Sequence, residues 1–200
     1  MPFIYAFMGD KREESYRAVF RKLRENVFLL LPGFNVQARW THMMSDFETV
    51  SIAAFRDIFP EVKVAGCHSH YCQAIYRQIS TKLGQRQLYD EKGEFYRFSR
   101  CLMAVTFLPE DQIVRAFDDL QETLSPAGEI ECQALIQYYT QTWLNGFGRE
   151  TFCVSGLSDR TNNKIEGWHS RIGGLAHKKR GSHEAIRSHF APYNFVFLLT

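Results

Sequence analysis

The sequence lacks the features that mark membrane and secreted proteins. No apolar run approaches the roughly 20 residues that a membrane-spanning helix needs. The N-terminal stretch MPFIYAFMGDK has neither the basic start nor the long apolar centre of a signal peptide. The five cysteines are scattered and odd in number, so they suggest no disulfide framework and fit a reducing compartment. We therefore expect a protein that is not secreted and has no membrane partner.

Common catalytic signatures are missing as well, and the net charge is small. The chain has no Gly-rich phosphate loop, no G-x-S-x-G and no H-E-x-x-H. The net charge of +2 does not by itself imply a polyanionic partner. However, residues 160–189 hold seven basic residues against two acidic ones, and residues 110–131 hold seven acidic residues against one arginine. This asymmetry permits a nucleic-acid face near the C-terminus, and a solvated basic tail explains it equally well.

The 200 residues suit one domain, or one domain with an insertion. Up to Gly84, a plausible helix stop, apolar runs alternate with amphipathic segments, which predicts an α/β core with parallel strands. Residues 94–145 then have helical spacing without any strand signal, which predicts a helical insertion or subdomain. The strands are expected at residues 2–8, 34–44 and 62–67, and the helices of the core at 11–29, 45–59 and 70–83.

The stretch MMSDFE places Asp46 directly after the second predicted strand. Open α/β sheets bind ligands at the carboxyl ends of their strands, so this carboxylate is a candidate site residue. The alternative is that Ser45 or Asp46 caps the helix that follows. The pattern alone favours neither.

The stretch GCHSHYC follows the third predicted strand. Its cysteines and histidines are residue types that bind zinc, but no second pair lies downstream at the spacing of a zinc finger. A strand-to-helix turn with partly buried thiols is therefore favoured over a closed zinc site at Cys67 and His70.

The stretch RTNNKIEGWH combines amides, a carboxylate and a histidine within ten residues. On a helix, Asn162, Glu166 and His169 would share one face, because residues three and four apart are neighbours. The alternative is that Thr161 or Asn162 is a helix N-cap and that Glu166 sits near the positive end of the helix. Taken alone, this alternative is favoured, since caps are commoner than sites.

The order of these motifs resembles the MULE transposase domain of Mutator-like elements, which is also found beside FLYWCH zinc fingers. The chain has an aspartate after one strand, Cys-x-x-His after the next, a helical segment, and then RTNNKIEGWH. The resemblance also covers the segments YAFMGDKREESYRAVFRKL and LMAVTFLPEDQIVRAFDDL, and it spans approximately residues 3–177.

The resemblance implies a ribonuclease H-like fold and a DDE transposase that cleaves and joins DNA. In such enzymes three carboxylates hold two Mg²⁺ or Mn²⁺ ions, and hard oxygen ligands suit these metals. Asp46 matches the second carboxylate and Glu166 the third, while Cys67 and His70 match the family's C/D-x-x-H motif. His70 would position DNA, and Asn162 and His169 would orient Glu166. DNA is then the implied partner, a homo-oligomer is compatible, and the location is nuclear or cytoplasmic.

The match departs from the family at both ends. The family's first aspartate precedes the segment that matches residues 2–8, and Asp10 reads as a helix cap rather than its replacement. In the strand order of this fold, 3-2-1-4-5, residues 2–8, 34–44 and 62–67 would be strands 3, 4 and 5, so the first two strands are absent. Direct pairing of strand 3 with strand 4 is one way to cover the edges that this leaves. With two of three carboxylates, this chain alone is expected not to cut or join DNA, and at most to bind DNA weakly. A domesticated nucleic-acid- or protein-binding module without catalysis is the alternative.

The expected organisation has four parts. An incomplete ribonuclease H-like core is expected at residues 1–84, followed by a helical insertion at 85–158. A C-terminal core helix that carries the last acidic residue is expected at 159–177, and a divergent basic and apolar tail at 178–200.

Overall fold

The structure is a computed structural model that describes residues 5–30, 42–161 and 196–198. The chain divides into two compact units. The first comprises residues 1–43, 48–63 and 162–200, and the second comprises residues 44–47 and 64–161. Asn162, Glu166 and His169 lie outside the described residues.

The described elements are short strands near the two chain ends and in the first third, with helices elsewhere. In chain order they are β1 (Tyr5–Phe7), α1 (Glu13–Leu30), β2 (His42–Ser45), α2 (Thr49–Ile58), β3 (Lys63–Gly66), α3 (His68–Arg77), a π-helix (Gln78–Lys82), α4 (Arg86–Asp90), α5 (Glu94–Ala104), two 3₁₀ turns (Val105–Phe107 and Glu110–Gln112), α6 (Ile113–Glu122), α7 (Pro126–Tyr139), a second π-helix (Thr140–Phe147), α8 (Arg149–Phe152) and β4 (Val196–Leu198).

In the first unit, helices α1 and α2 pack against each other. The spacing of apolar residues predicted α1, and Phe20 from this face meets Phe55 of α2 edge to face, with ring centroids 5.2 Å apart. An ion pair between Arg17 of α1 and Asp57 of α2 lies beside this contact. Apolar packing and charge pairing thus hold the two helices together.

The strands form two separate two-stranded sheets in the described part of the chain. β2 is hydrogen-bonded to β3, as expected from the strand order, which makes the strands at 34–44 and 62–67 neighbours. β1 pairs in parallel with β4, Tyr5 opposite Val196. Most of the predicted strand 34–44 lies outside the described residues, so its direct pairing with residues 2–8 stays a prediction. A lone strand leaves unpaired backbone groups, and β4 covers one edge of β1.

The second unit is built around aromatic side chains of its helices. Tyr71 of α3 lies 4.6 Å from Trp143 and 5.6 Å from Phe152, ring centroid to centroid, and all three are almost fully buried. Each such side chain removes a large apolar area from water, so this cluster stabilises the unit. The helical prediction for residues 94–145 is confirmed.

The fold is therefore α/β in a broad sense, mostly helical with a small parallel sheet. Among the described residues, no helix combines the length and the hydropathy required to cross a bilayer.

A candidate active site at two strand ends

Two of the predicted site residues follow strands that the structure places side by side. The backbone N–H of Cys67 donates to the carbonyl oxygen of Ser45 over 2.6 Å, which ties the end of β3 to the end of β2. Asp46 is the first residue beyond β2, and Cys67 is the first beyond β3. Asp46 is exposed, so its carboxylate is accessible to a ligand from solvent. The structure thus brings the Asp46 and Cys67 positions together at one edge of the sheet.

The capping interpretation of Ser45 and Asp46 is wrong. Helix α2 begins at Thr49 with Glu48 as its N-cap, and no side chain makes the capping hydrogen bond. Ser45 belongs to β2 and is buried. Asp46 therefore has no helix-starting role, and the sequence pattern misled because a Ser and a Glu three residues apart resemble a capping box.

The residue after Asp46 has an unusual backbone conformation. Phe47 has a φ of 67°, in the left-handed region that costs a bulky residue energy. Its ring packs against Trp143 at 4.9 Å and Phe147 at 5.1 Å, in both cases edge to face. The aromatic contacts offset the backbone cost and fix the turn that carries Asp46.

Cys67 and His70 lie at the start of α3. Cys67 is the N-cap of the helix and is fully buried, and His70 is partly buried in its first turn. This is the strand-to-helix turn with a buried thiol that the sequence favoured over a zinc site. Across the described residues, no group of three or more His, Cys, Asp and Glu side chains is arranged to hold a metal ion.

A pair on α3 that sequence reasoning did not assign lies beside this turn. Nε2 of His68 is 3.4 Å from Sγ of Cys72, and Nδ1 of His68 is 3.1 Å from Oγ1 of Thr106. Burial lowers the pKa of His68, and the nearby Arg160 and Arg100 lower it further. Burial raises the pKa of Cys72 to about 11. Both groups are therefore neutral at pH 7, and the pair is a hydrogen bond rather than an activated thiolate.

Arg160 is a further residue that the sequence analysis did not single out. Its carbonyl oxygen accepts a hydrogen bond from the backbone N–H of His68 over 2.9 Å, so the chain returns to the end of β3 at this point. The only sequence signal was its place in a basic segment. Its contact with His68 joins residues that are 92 positions apart, which no local pattern indicates.

Comparisons with known proteins add no family to these observations. No family model, no curated protein and no solved structure matches this chain.

Proposed function

We propose that this chain is a fragment of a MULE-type DDE transposase catalytic domain with a ribonuclease H-like core. The observation that carries the proposal is the hydrogen bond between Cys67 and Ser45, because it joins the strand ends that bear Asp46 and the Cys-x-x-His motif. The capping role that competed with a functional role for Asp46 is absent from α2.

Asp46 and Glu166 are the residues that would hold Mg²⁺ or Mn²⁺. The exposed carboxylate of Asp46 fits such a metal, because hard cations take oxygen ligands. When bound, the metal supplies Lewis acidity toward a phosphodiester. The chain's own contribution is to present the carboxylate at a fixed position, and the turn packed on Trp143 does so for Asp46.

The helices between the two carboxylates also support the proposal. Asp46 and Glu166 are 120 residues apart. Helices α4 to α8 lie within this interval, and their buried core includes Tyr71 of α3 and packs against Phe47. Such an arrangement suits a helical insertion that separates the two carboxylates along the chain and packs against the turn that carries Asp46.

Iron-mediated cleavage of the polypeptide tests the proposal directly. Fe²⁺ that replaces Mg²⁺ generates hydroxyl radicals with peroxide and ascorbate, and these cut the backbone near the metal. We expect cuts near Asp46 and near Glu166, both suppressed by excess Mg²⁺ and both lost in Asp46→Asn and in Glu166→Gln. The resemblance matches two of the three family carboxylates, so metal binding rather than strand transfer is the readout.

The matched controls are Asp118→Asn and Glu122→Gln, which remove exposed carboxylates of α6. They should leave the cleavage pattern unchanged. Cuts at only one of the two positions, or cuts that survive Asp46→Asn, would contradict a shared metal site. Salt-dependent DNA binding that survives Asp46→Asn while cleavage is absent would favour a non-catalytic binding module.

A further inference from the structure

We propose that Arg160 binds a backbone phosphate of duplex DNA, with its guanidinium group held in a fixed orientation beside the strand ends. The inference rests on the proposed function, because it assigns DNA as the ligand of the same site. It concerns a residue outside the matched carboxylates and outside the Cys-x-x-His motif.

Backbone hydrogen bonds place Arg160 at the site. The N–H of Cys67 donates to Ser45, and the next N–H along the chain, that of His68, donates to the carbonyl oxygen of Arg160. Ser45 directly precedes Asp46. Arg160 is therefore tied to the same strand end as Asp46, with two backbone hydrogen bonds between them.

Two contacts orient the side chain of Arg160. Nε donates to the carbonyl oxygen of Leu157 over 3.3 Å, and Cζ lies 5.2 Å from the centroid of the Phe107 ring. Phe107 is itself 41% exposed, and its ring also contacts the ring of His68 at 4.5 Å. The stacked ring restricts the rotamers of the Arg160 side chain before a ligand binds. Less side-chain entropy is therefore lost when the guanidinium group binds a ligand.

The donors that remain suit a phosphate. The contacts given by the described residues engage Nε and one face of the group, so the terminal nitrogens Nη1 and Nη2 can donate to a ligand. Two parallel N–H groups match two oxygens of a phosphate. A second arginine, Arg100, lies near the same point, since it and Arg160 both lower the pKa of His68. An anion is the ligand that two neighbouring guanidinium groups favour.

Salt-dependent binding of the full chain to a labelled duplex of random sequence tests the inference by fluorescence anisotropy. Arg160→Gln should weaken binding about tenfold at low salt. It should also reduce the slope of log affinity against log salt by about one unit, the contribution of one phosphate contact. Arg160→Lys keeps the charge, so it should keep the slope and lose several-fold in affinity because the planar fork is gone.

Two further variants separate orientation from charge. Phe107→Leu keeps an apolar side chain but removes the aromatic face, and it should weaken binding about two- to fivefold with an unchanged slope. Arg115→Gln removes an exposed arginine of α6 and should change neither quantity. Thermal unfolding checks that each variant is folded.

The inference is overturned if Arg160→Gln has the slope of the unsubstituted chain, if Arg115→Gln has the same effect, or if the unsubstituted chain does not bind the duplex. Metal-dependent cleavage near Asp46 and Glu166 is measured without DNA. A failure of the Arg160 assignment is thus distinguishable from a failure of the proposed metal site.

Discussion

The ring of Phe47 lies directly on Gly66, with no room for a side chain between them. A Cβ atom built on Gly66 would overlap Cζ and Cε1 of this ring. Gly66 is the last residue of β3, and Phe47 follows the exposed Asp46. The glycine is needed here because an aromatic side chain approaches the backbone closely.

Gly66→Ala should therefore destabilise the protein. The added methyl group must displace the Phe47 ring from Trp143 and Phe147, which costs about 1–3 kcal/mol of unfolding free energy as overpacking usually does. Urea denaturation measures the change. Gly9→Ala is the control, because a Cβ at Gly9 meets no atom within 4 Å and the residue lacks a left-handed φ. Equal midpoints for the two variants would contradict the close packing at Gly66.

Tyr71→Phe should destabilise the second unit through a lost hydrogen bond. The hydroxyl of Tyr71 donates to the carbonyl oxygen of Leu102 over 2.6 Å and lies 3.0 Å from the hydroxyl of Tyr139. Leu102 is in the last turn of α5, where carbonyl groups lack helical partners. Leaving it unpaired in the core costs about 1–3 kcal/mol.

The measurement for Tyr71→Phe is again the urea midpoint, with Tyr76→Phe as the control. Tyr76 lies on the same helix but is 37% exposed, so loss of its hydroxyl should change stability little. If Tyr71→Phe unfolds at the midpoint of the unsubstituted chain, the carbonyl of Leu102 has another partner.

Local patterns predicted the helices, and the family resemblance predicted that the second and third strands are neighbours. The apolar spacing from Tyr16 to Phe20 indicated α1, and Gly84 stops a helix with a φ of 67°, the left-handed conformation that glycine adopts readily. The strands at 34–44 and 62–67 were expected to be neighbours, and β2 is hydrogen-bonded to β3. The helices depend on residues that are close in sequence, whereas the strand order came from the family resemblance.

The sequence did not predict the features that depend on contacts between residues far apart in the chain. The π-helix over Thr140–Phe147 continues α7 without any sequence break, and its residues Trp143 and Phe147 pack around the distant Phe47. The pairing of β1 with β4 joins the two ends of the chain. For the same reason, Arg160 was recognised only as one basic residue among several. The predictions for Asn162, Glu166 and His169 stand as predictions.

Stability should fall above pH 9, and Cys72 should contribute to the fall. Burial raises the pKa of Cys72 from 9.0 to about 11 and that of Cys132 to about 12. Since the folded pKa exceeds the unfolded one, the stabilisation is fully present below pH 9 and is lost as the pH rises through the folded value. The unfolded chain releases these protons first, so alkaline conditions favour unfolding.

The test is the urea midpoint from pH 8 to pH 11 under reducing conditions. Cys72→Ala should reduce the decline between pH 9 and pH 11. Some slope remains, because burial also raises the pKa of Cys132 from 9.0 and that of Tyr71 from 10.0. Cys101→Ala, at an exposed position, should leave the profile unchanged. A profile of Cys72→Ala parallel to that of the unsubstituted chain would show that the thiol titrates as it does in the unfolded state.

Asp46→Ala should change the free energy of unfolding by less than about 0.5 kcal/mol, because an exposed residue outside any cap contributes little to folding.

Ser125→Ala is the positive control, because Ser125 is a helix cap. Oγ of Ser125 accepts from the N–H of Gly128 over 3.1 Å and donates to Glu94 over 2.6 Å, and its removal should cost about 1 kcal/mol. Thermal and urea unfolding of both variants decide the point. A loss at Asp46 as large as that at Ser125 would assign Asp46 a structural role, whereas an unchanged midpoint leaves its carboxylate available for a ligand.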